Sequence, residues 1–193
     1  MANTAIDILV AGVGGQGVIL ASDLMADTFL AAGYDVKKSE VHGMAQRGGA
    51  VSSHVRYGKK VYSPIIKMGE ADYLFMTEKM EILRWLAYGN PTTVIVADDV
   101  TINPPAVNLG EMEYPHDIEE TLRSNFKKVH IIPASEMAAE MGNARAANVV
   151  LLGAFSMLLD IDEKIWLSCL LDRLPEKLHD LNKKAFAAGR KAI

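Results

Sequence analysis

Short apolar runs alternate along the chain with longer segments of helical periodicity. Ile6 to Ala11 is almost continuously apolar, as in a strand buried on both faces of a parallel sheet. A glycine-rich turn follows from Gly12 to Gly17. Val18, Leu20, Ala21, Leu24, Met25, Thr28 and Phe29 then recur at helical spacing, with Gly33 placed to cap the helix. Tyr34 to Val41 reads as a second strand reached by a crossover. Ala50 to Arg56 alternates Val51, Ser53 and Val55 with Ser52, His54 and Arg56, a strand with one polar face. Tyr57 to Lys60 looks like a hairpin turn into a further strand at Val61, Tyr62 and Ser63.

The alternation continues. Ala71 to Met76, Thr92 to Ala97 and Lys128 to Ile132 predict strands, and Glu78 to Tyr88 and Ala134 to Met141 predict helices. Between Asp98 and His116, Pro104, Pro105 and Pro115 forbid a long helix. The remainder is helical: Ala144 to Leu159, Glu163 to Leu171 and Pro175 to Gly189. This order predicts an α/β fold in one domain over residues 1–193. Its sheet should be open, Rossmann-like and mostly parallel, with helices on both faces and a helical C-terminal cover.

Composition narrows the function classes. A net charge of −4 supplies no global basic field for nucleic acid or an anionic membrane. No signal-peptide pattern opens the chain, and no apolar run reaches the roughly 18 residues of a membrane span, so a cytoplasmic protein is expected. The single cysteine, Cys169, lies in an apolar helical pattern and reads as a buried structural thiol. One thiol cannot hold an iron–sulfur cluster. The five histidines show no metal-ligand spacing, so no metal site is expected. There is no G-x-S-x-G elbow, no phosphate-binding P-loop and no thiamine diphosphate motif.

Two glycine-rich turns remain as candidate chemistry. Gly12, Gly14 and Gly17, with Gly15 and Gln16 between them, match the dinucleotide fingerprint in a strand–turn–helix context. The acid that should hold the ribose has only Glu40 as a candidate. The same turn also suits another phosphate-bearing or acidic ligand, or tight packing with Gln16 capping backbone groups. The second turn carries His42, Gln46, Arg47, Gly48 and Gly49. Arg47 presents a planar fork for carboxylate or phosphate, and the glycines let backbone approach an anion. Both turns are expected together at the carboxyl edge of the sheet, with His54 and Arg56 facing the same crevice. Asn148, in the small-residue segment Ala146 to Ala154, is expected to hydrogen-bond internally.

At these residues the chain resembles the γ-type subunits of the 2-oxoacid:ferredoxin oxidoreductases. The resemblance is carried by Gly12 to Val18, Ser39 to Arg56, Gly69 to Asp72 and Asn148 to Ala154, in order and across most of the chain. Within that family, the wording of Ser39 to Gly49, with Tyr62-Ser63-Pro64 and Leu181 to Phe186, is most similar to small (β) subunits acting on indolepyruvate. The resemblance implies a two-part enzyme that converts an aryl pyruvate and CoA into the acyl-CoA, with ferredoxin as electron acceptor. Thiamine diphosphate, Mg and [4Fe-4S] clusters are then expected on the large partner subunit, with no cofactor held by this chain alone. The small chain would close over the active site and help to bind substrate or CoA, and would be inactive in isolation. A γ subunit for pyruvate, 2-oxoglutarate or 2-oxoisovalerate, a nicotinamide-binding oxidoreductase and a purely scaffolding subunit are the alternatives.

Overall fold

A computed structural model describes residues 5–42 and 49–193, with the side chain of His42 excepted. In chain order the elements are β1 (Ile6–Val13), α1 (Val18–Ala31), β2 (Asp35–His42), β3 (Ala50–Gly58), β4 (Tyr73–Met76) and α2 (Glu81–Trp85). Then come β5 (Val94–Asp98), α3 (Pro105–Asn108), α4 (Ile118–Asn125), β6 (Lys128–Ile132) and α5 (Ala134–Glu140). Finally α6 (Ala147–Ser156), α7 (Glu163–Asp172) and α8 (His179–Arg190) complete the chain. The strands form one six-stranded sheet in the order β2-β3-β1-β4-β5-β6. β3 runs antiparallel to both β1 and β2, and the remaining neighbours pair in parallel.

The central strands are apolar on both faces because both faces are covered. Ile8, Val10, Phe75 and Val96 join one core with residues of α1, α5, α6, α7 and α8. Leu9, Ala11, Leu74, Met76, Ile95 and Ala97 face the other way, against Ile82 of α2 and Ile118 and Leu122 of α4. This period-two split is the reason that Ile6 to Ala11 lacks polar positions. After α1 the amides of Gly33 and Tyr34 donate to Leu30 and Phe29 carbonyls at 2.9 and 3.0 Å, a Schellman turn at the glycine expected to cap the helix. Among the described residues no helix is long and apolar enough to cross a membrane.

Three segments depart from the sequence reading. Val61 to Ser63 forms no strand, because β3 already pairs on both sides and leaves no edge for a hairpin partner. Instead the segment straps over the sheet, held where Arg56 Nη1 donates to Ser63 and Ile65 carbonyls at 3.1 and 3.2 Å. The helix expected from Glu78 begins only at Glu81, since the buried Glu78 carboxylate accepts the Glu81 amide at 2.8 Å. α4, which supplies Ile118 and Leu122 to the core, was not expected.

α6 and α8 approach until backbone meets backbone. A Cβ on Gly189 would stand 1.8 Å from the Val150 carbonyl oxygen, and one on Gly153 would stand 2.1 Å from that of Phe186. Helix propensity alone favours alanine over glycine by about 1 kcal/mol. Here the packing term has the opposite sign and, at about 1–3 kcal/mol or more, is larger. Gly189→Ala is therefore expected to lower the urea unfolding midpoint. An unchanged or raised midpoint would show that the helices are not in backbone contact.

Candidate functional site

The glycine turn is fastened to the end of β4 by one side chain. Gln16 Oε1 accepts from the Val13 amide at 2.9 Å and from Thr77 Oγ1 at 2.8 Å, and Gln16 Nε2 donates to the Thr77 carbonyl at 2.7 Å. The Thr77 amide donates to the Ala11 carbonyl at 2.9 Å. A Cβ on Gly12 would lie 1.8 Å from Thr77 Oγ1, so glycine there is a condition of the clamp. The clamp spans β1 and β4, where connections diverge: β1 leads outward to β2 and β3, β4 to β5 and β6. Open α/β sheets place ligands at such a point.

α6 closes on the turn from one side. Asn148 Nδ2 donates to the Gly17 carbonyl at 3.4 Å. Gly17 has φ +78°, and a Cβ there would meet Asn148 Nδ2 at 2.4 Å, so both conformation and space require glycine. Gly49, the last residue of the second glycine-rich stretch, meets the first turn, since the Gly14 amide donates to the Gly49 carbonyl at 2.8 Å. The structure thus brings Gly12, Gly14, Gly15, Gln16, Gly17 and Gly49 together at the carboxyl edge of β1. The backbone of His42, opposite Val51, closes β2 at that edge. Its side chain, and Gln46, Arg47 and Gly48, lie outside the described residues.

Between the turn and α6 opens a crevice of about 370 Å³, lined by Gly15, Gly17, Thr77, Asp98, Arg145 and Asn148 among others. The first turns of α1 and α6 both border it, and their amides favour negative charge. Arg145 is exposed at its rim on the 3-10 turn Ala144–Ala146, whose start is held by Asn143 Oδ1 on the Arg145 amide at 3.1 Å. Asp98, buried at the end of β5, accepts the Ser135 amide at 3.1 Å and the Ser135 hydroxyl. It therefore caps the start of α5 from the end of β5. Burial pushes the Asp98 carboxyl above its ordinary value, against the lowering effect of the bonds from Ser135. With the Thr77 and Ser135 hydroxyls both committed to neighbours, the crevice is suited to holding an anion, not to nucleophilic chemistry.

His54 and Arg56 do not face this crevice. They oppose Leu9 and Asp7, well back along β1 from the turn. His54 Nδ1 accepts the Ile66 amide at 3.1 Å, and Arg56 Nε donates to Asp7 Oδ1 at 2.8 Å, so both anchor the strap. Burial and the Arg56 charge hold the His54 pKa below its usual value. Glu40 cannot serve the glycine turn as the ribose acid, because β3 lies between its strand and β1. It pairs with Lys38 on β2. Cys169 is half-buried rather than enclosed. Asn148 bonds internally through Nδ2 alone; its Oδ1 has no donor. Arg145 and Asp98 were missed by the sequence reading, since neither sits in a glycine motif.

The chain holds one cysteine, which does not fit an iron–sulfur cluster with its four thiolates. Among the described residues no group of three or more His, Cys, Asp or Glu is placed to hold a metal.

A family model described as pyruvate ferredoxin/flavodoxin oxidoreductase matches residues 7–192. The chain is 35% identical over 191 residues to indolepyruvate oxidoreductase subunit IorB of Thermococcus kodakarensis, covering 96% of this chain and 95% of that protein. Among solved structures it is similar to the γ subunit of a keto/oxoacid ferredoxin oxidoreductase from Geobacter sulfurreducens. That match has a TM-score of 0.72 and 25% identity, over 97% of each chain. A 2-oxoglutarate:ferredoxin oxidoreductase from Magnetococcus marinus, solved with 2-oxoglutarate, coenzyme A and succinyl-CoA bound, gives a TM-score of 0.78 at 26% identity. There the match covers 97% of this chain and 31% of the other.

The raised pKa of Asp98 has a defined consequence. The native state holds the Asp98 proton more tightly than the unfolded chain, whose value is the ordinary 3.8. This group favours folding below 3.8 and loses that contribution as pH rises through the higher folded value. Melting temperatures of wild type and Asp98→Asn, compared across this range, should shift in favour of the asparagine variant as pH rises. A difference independent of pH would show that burial does not perturb Asp98.

Proposed function

The chain belongs to the pyruvate ferredoxin/flavodoxin oxidoreductase family, and from that premise we propose that it is the small subunit of an indolepyruvate:ferredoxin oxidoreductase. The observation that carries the substrate is the near full-length similarity to IorB, which spans 95% of that relative. The enzyme would decarboxylate indolepyruvate oxidatively, join the acyl group to CoA and pass electrons to ferredoxin. Thiamine diphosphate with its magnesium, and the [4Fe-4S] clusters, are assigned to the large partner subunit, where they supply decarboxylation and electron transfer.

This chain's own part is binding. The crevice offers the first turns of α1 and α6 and the exposed Arg145, and its glycine turn is bonded to Gly49. These suit a phosphate-bearing ligand, and CoA is the phosphate-bearing substrate of the reaction. Arg47, from the turn that ends at Gly49, is proposed as a second cation for the same ligand or for the oxoacid carboxylate. Protein contributes orientation and electrostatics in such a division of labour, while the covalent chemistry belongs to the cofactor.

Reconstitution with the large subunit tests the reading. The small chain alone should be inactive with indolepyruvate, CoA and a dye acceptor, and the complex should prefer indolepyruvate to pyruvate, 2-oxoglutarate and 2-oxoisovalerate. Arg145→Ala should raise the KM for CoA about ten- to a hundredfold, the loss of about 1.5–3 kcal/mol of charge-assisted bonding. The KM for the oxoacid should stay unchanged. Arg145→Lys should recover part of the loss, keeping charge without the fork. Turnover by the lone chain would overturn the subunit assignment, and an unaltered CoA KM in Arg145→Ala would overturn the crevice assignment.

A further inference from the structure

A second cavity opens past the ends of β4 and β5, on the other face of the sheet. The first crevice is lined by Leu20 and Leu151 of one core, this cavity by Ile118 of the other. It encloses about 420 Å³, within the range of about 300–1,000 Å³ typical of small-molecule pockets. Lys79 enters it from just beyond β4. Most of the remaining wall comes from residues 99–117, between β5 and α4, which hold only the short helix α3. So long a connection with so little regular structure is uncommon in a compact domain, and such connections usually carry a function.

This wall is fixed from beneath. Glu78 is 1% exposed, and its carboxylate accepts the Ile102 amide at 3.2 Å, the Tyr114 hydroxyl at 2.8 Å and the Glu81 amide at 2.8 Å. All three donors are neutral, so hydrogen bonds alone offset the burial of this carboxylate. Tyr114 stays a neutral phenol, since burial and Glu78 push its pKa up to about 12. The Lys79 amide also donates to the Val100 carbonyl at 3.2 Å. The connection is therefore pinned to the end of β4 at Val100, Ile102 and Tyr114, and the cavity beneath it is preformed.

The lining divides by chemistry. Val107, Pro115 and Ile118 are apolar, whereas Lys79 and His116 present nitrogen donors or acceptors. Lys79 Nζ pairs with Asp99, whose side chain is about half exposed. An ammonium has three donors, and a solvent-exposed pair of this kind is weak, so a ligand anion can share Lys79. The carboxylate in the wall, Glu119, pairs with Arg123. We propose that this cavity binds a small carboxylate with an apolar body, its charge against Lys79 and its body against Val107, Pro115 and Ile118. Only the choice of an aryl body rests on the proposed function. In that reaction the oxoacid, and the free acid of the thioester product, are both aryl carboxylates of this size.

Calorimetric titration of the small chain alone, with indole-3-acetate and with indolepyruvate, tests the site apart from the large subunit. Both acids should bind saturably. Acetate lacks the body and 3-methylindole lacks the charge, and each should bind at least tenfold more weakly. Lys79→Gln should weaken indole-3-acetate about ten- to a hundredfold. Asp99→Asn removes the competing anion and should tighten it by up to about fivefold. Val107→Asp, which sets a like charge against the ligand, should abolish binding. Arg145→Ala, in the other crevice, should bind as wild type does. Melting curves establish that each variant is folded.

Tighter binding of indolepyruvate identifies the oxoacid as the occupant; equal or tighter binding of indole-3-acetate identifies the free acid. Absence of saturable binding would overturn the proposal. So would 3-methylindole binding as tightly as indole-3-acetate, or an affinity unmoved by Lys79→Gln and Val107→Asp. Failure here is separable from failure of the functional reading, which falls if the reconstituted complex does not turn over indolepyruvate, whatever the small chain binds.

Discussion

The amide of Gln16 ties three backbone and side-chain groups at the one place where this sheet divides. Its oxygen satisfies the Val13 amide and the Thr77 hydroxyl, and its nitrogen satisfies the Thr77 carbonyl. Each such bond contributes about 1 kcal/mol net, but a partner left buried and unbonded costs more. Thr77 is 3% exposed, so the clamp is made where water does not compete freely. With the ends of β1 and β4 fixed, the glycine turn has one path into α1. Gly17 then sits where Asn148 of α6 can reach its carbonyl. The crevice is the space that this arrangement leaves between the turn, β5 and α6.

The reversed strand β3 sets what the glycine turn can do. In a dinucleotide site the second strand lies beside the first and brings its acid to the ribose. Here β3 intervenes, so Glu40 stands two strand spacings, about 10 Å, from β1. The turn keeps its anion-friendly amides but lacks the partner that would make it a nicotinamide site. The insertion also uses both edges of β3, which is why the following chain becomes a strap. Arg56 and His54 hold that strap, and Asp7 and Asp72 steady Arg56 and the start of β1. Several residues that carry the family resemblance are therefore architectural, at the opposite end of the strands from the crevice.

Much of this organisation was legible in the sequence because it is local. The apolar run of β1, the periodicity of α1 and the turn at Gly33 each depend on neighbours in the chain, and each appears where expected. β4 and β5 were marked by continuous apolar residues, as strands covered on both faces are, whereas the edge strand β6 carries Lys128 and His130 and showed only through Val129, Ile131 and Ile132. α4 was not, since only Ile118 and Leu122 of its eight residues are buried and two apolar positions make no readable period. The direction of β3 was equally hidden, because it is decided by pairing between strands far apart in sequence. The site divides in the same way. The glycine turn was visible as a motif, whereas Asp98 gains its role from Ser135, 37 residues onward, and Arg145 from its position before α6.

On the proposed function, the crevice between the glycine turn and α6 holds CoA when the two subunits are joined. A structure of the reconstituted complex with CoA bound tests it most directly. CoA phosphate density is expected against Arg145 and the first turns of α1 and α6, with the ligand running from there toward the large subunit. CoA bound wholly by the large subunit, with nothing between Gly17 and Arg145, would contradict it.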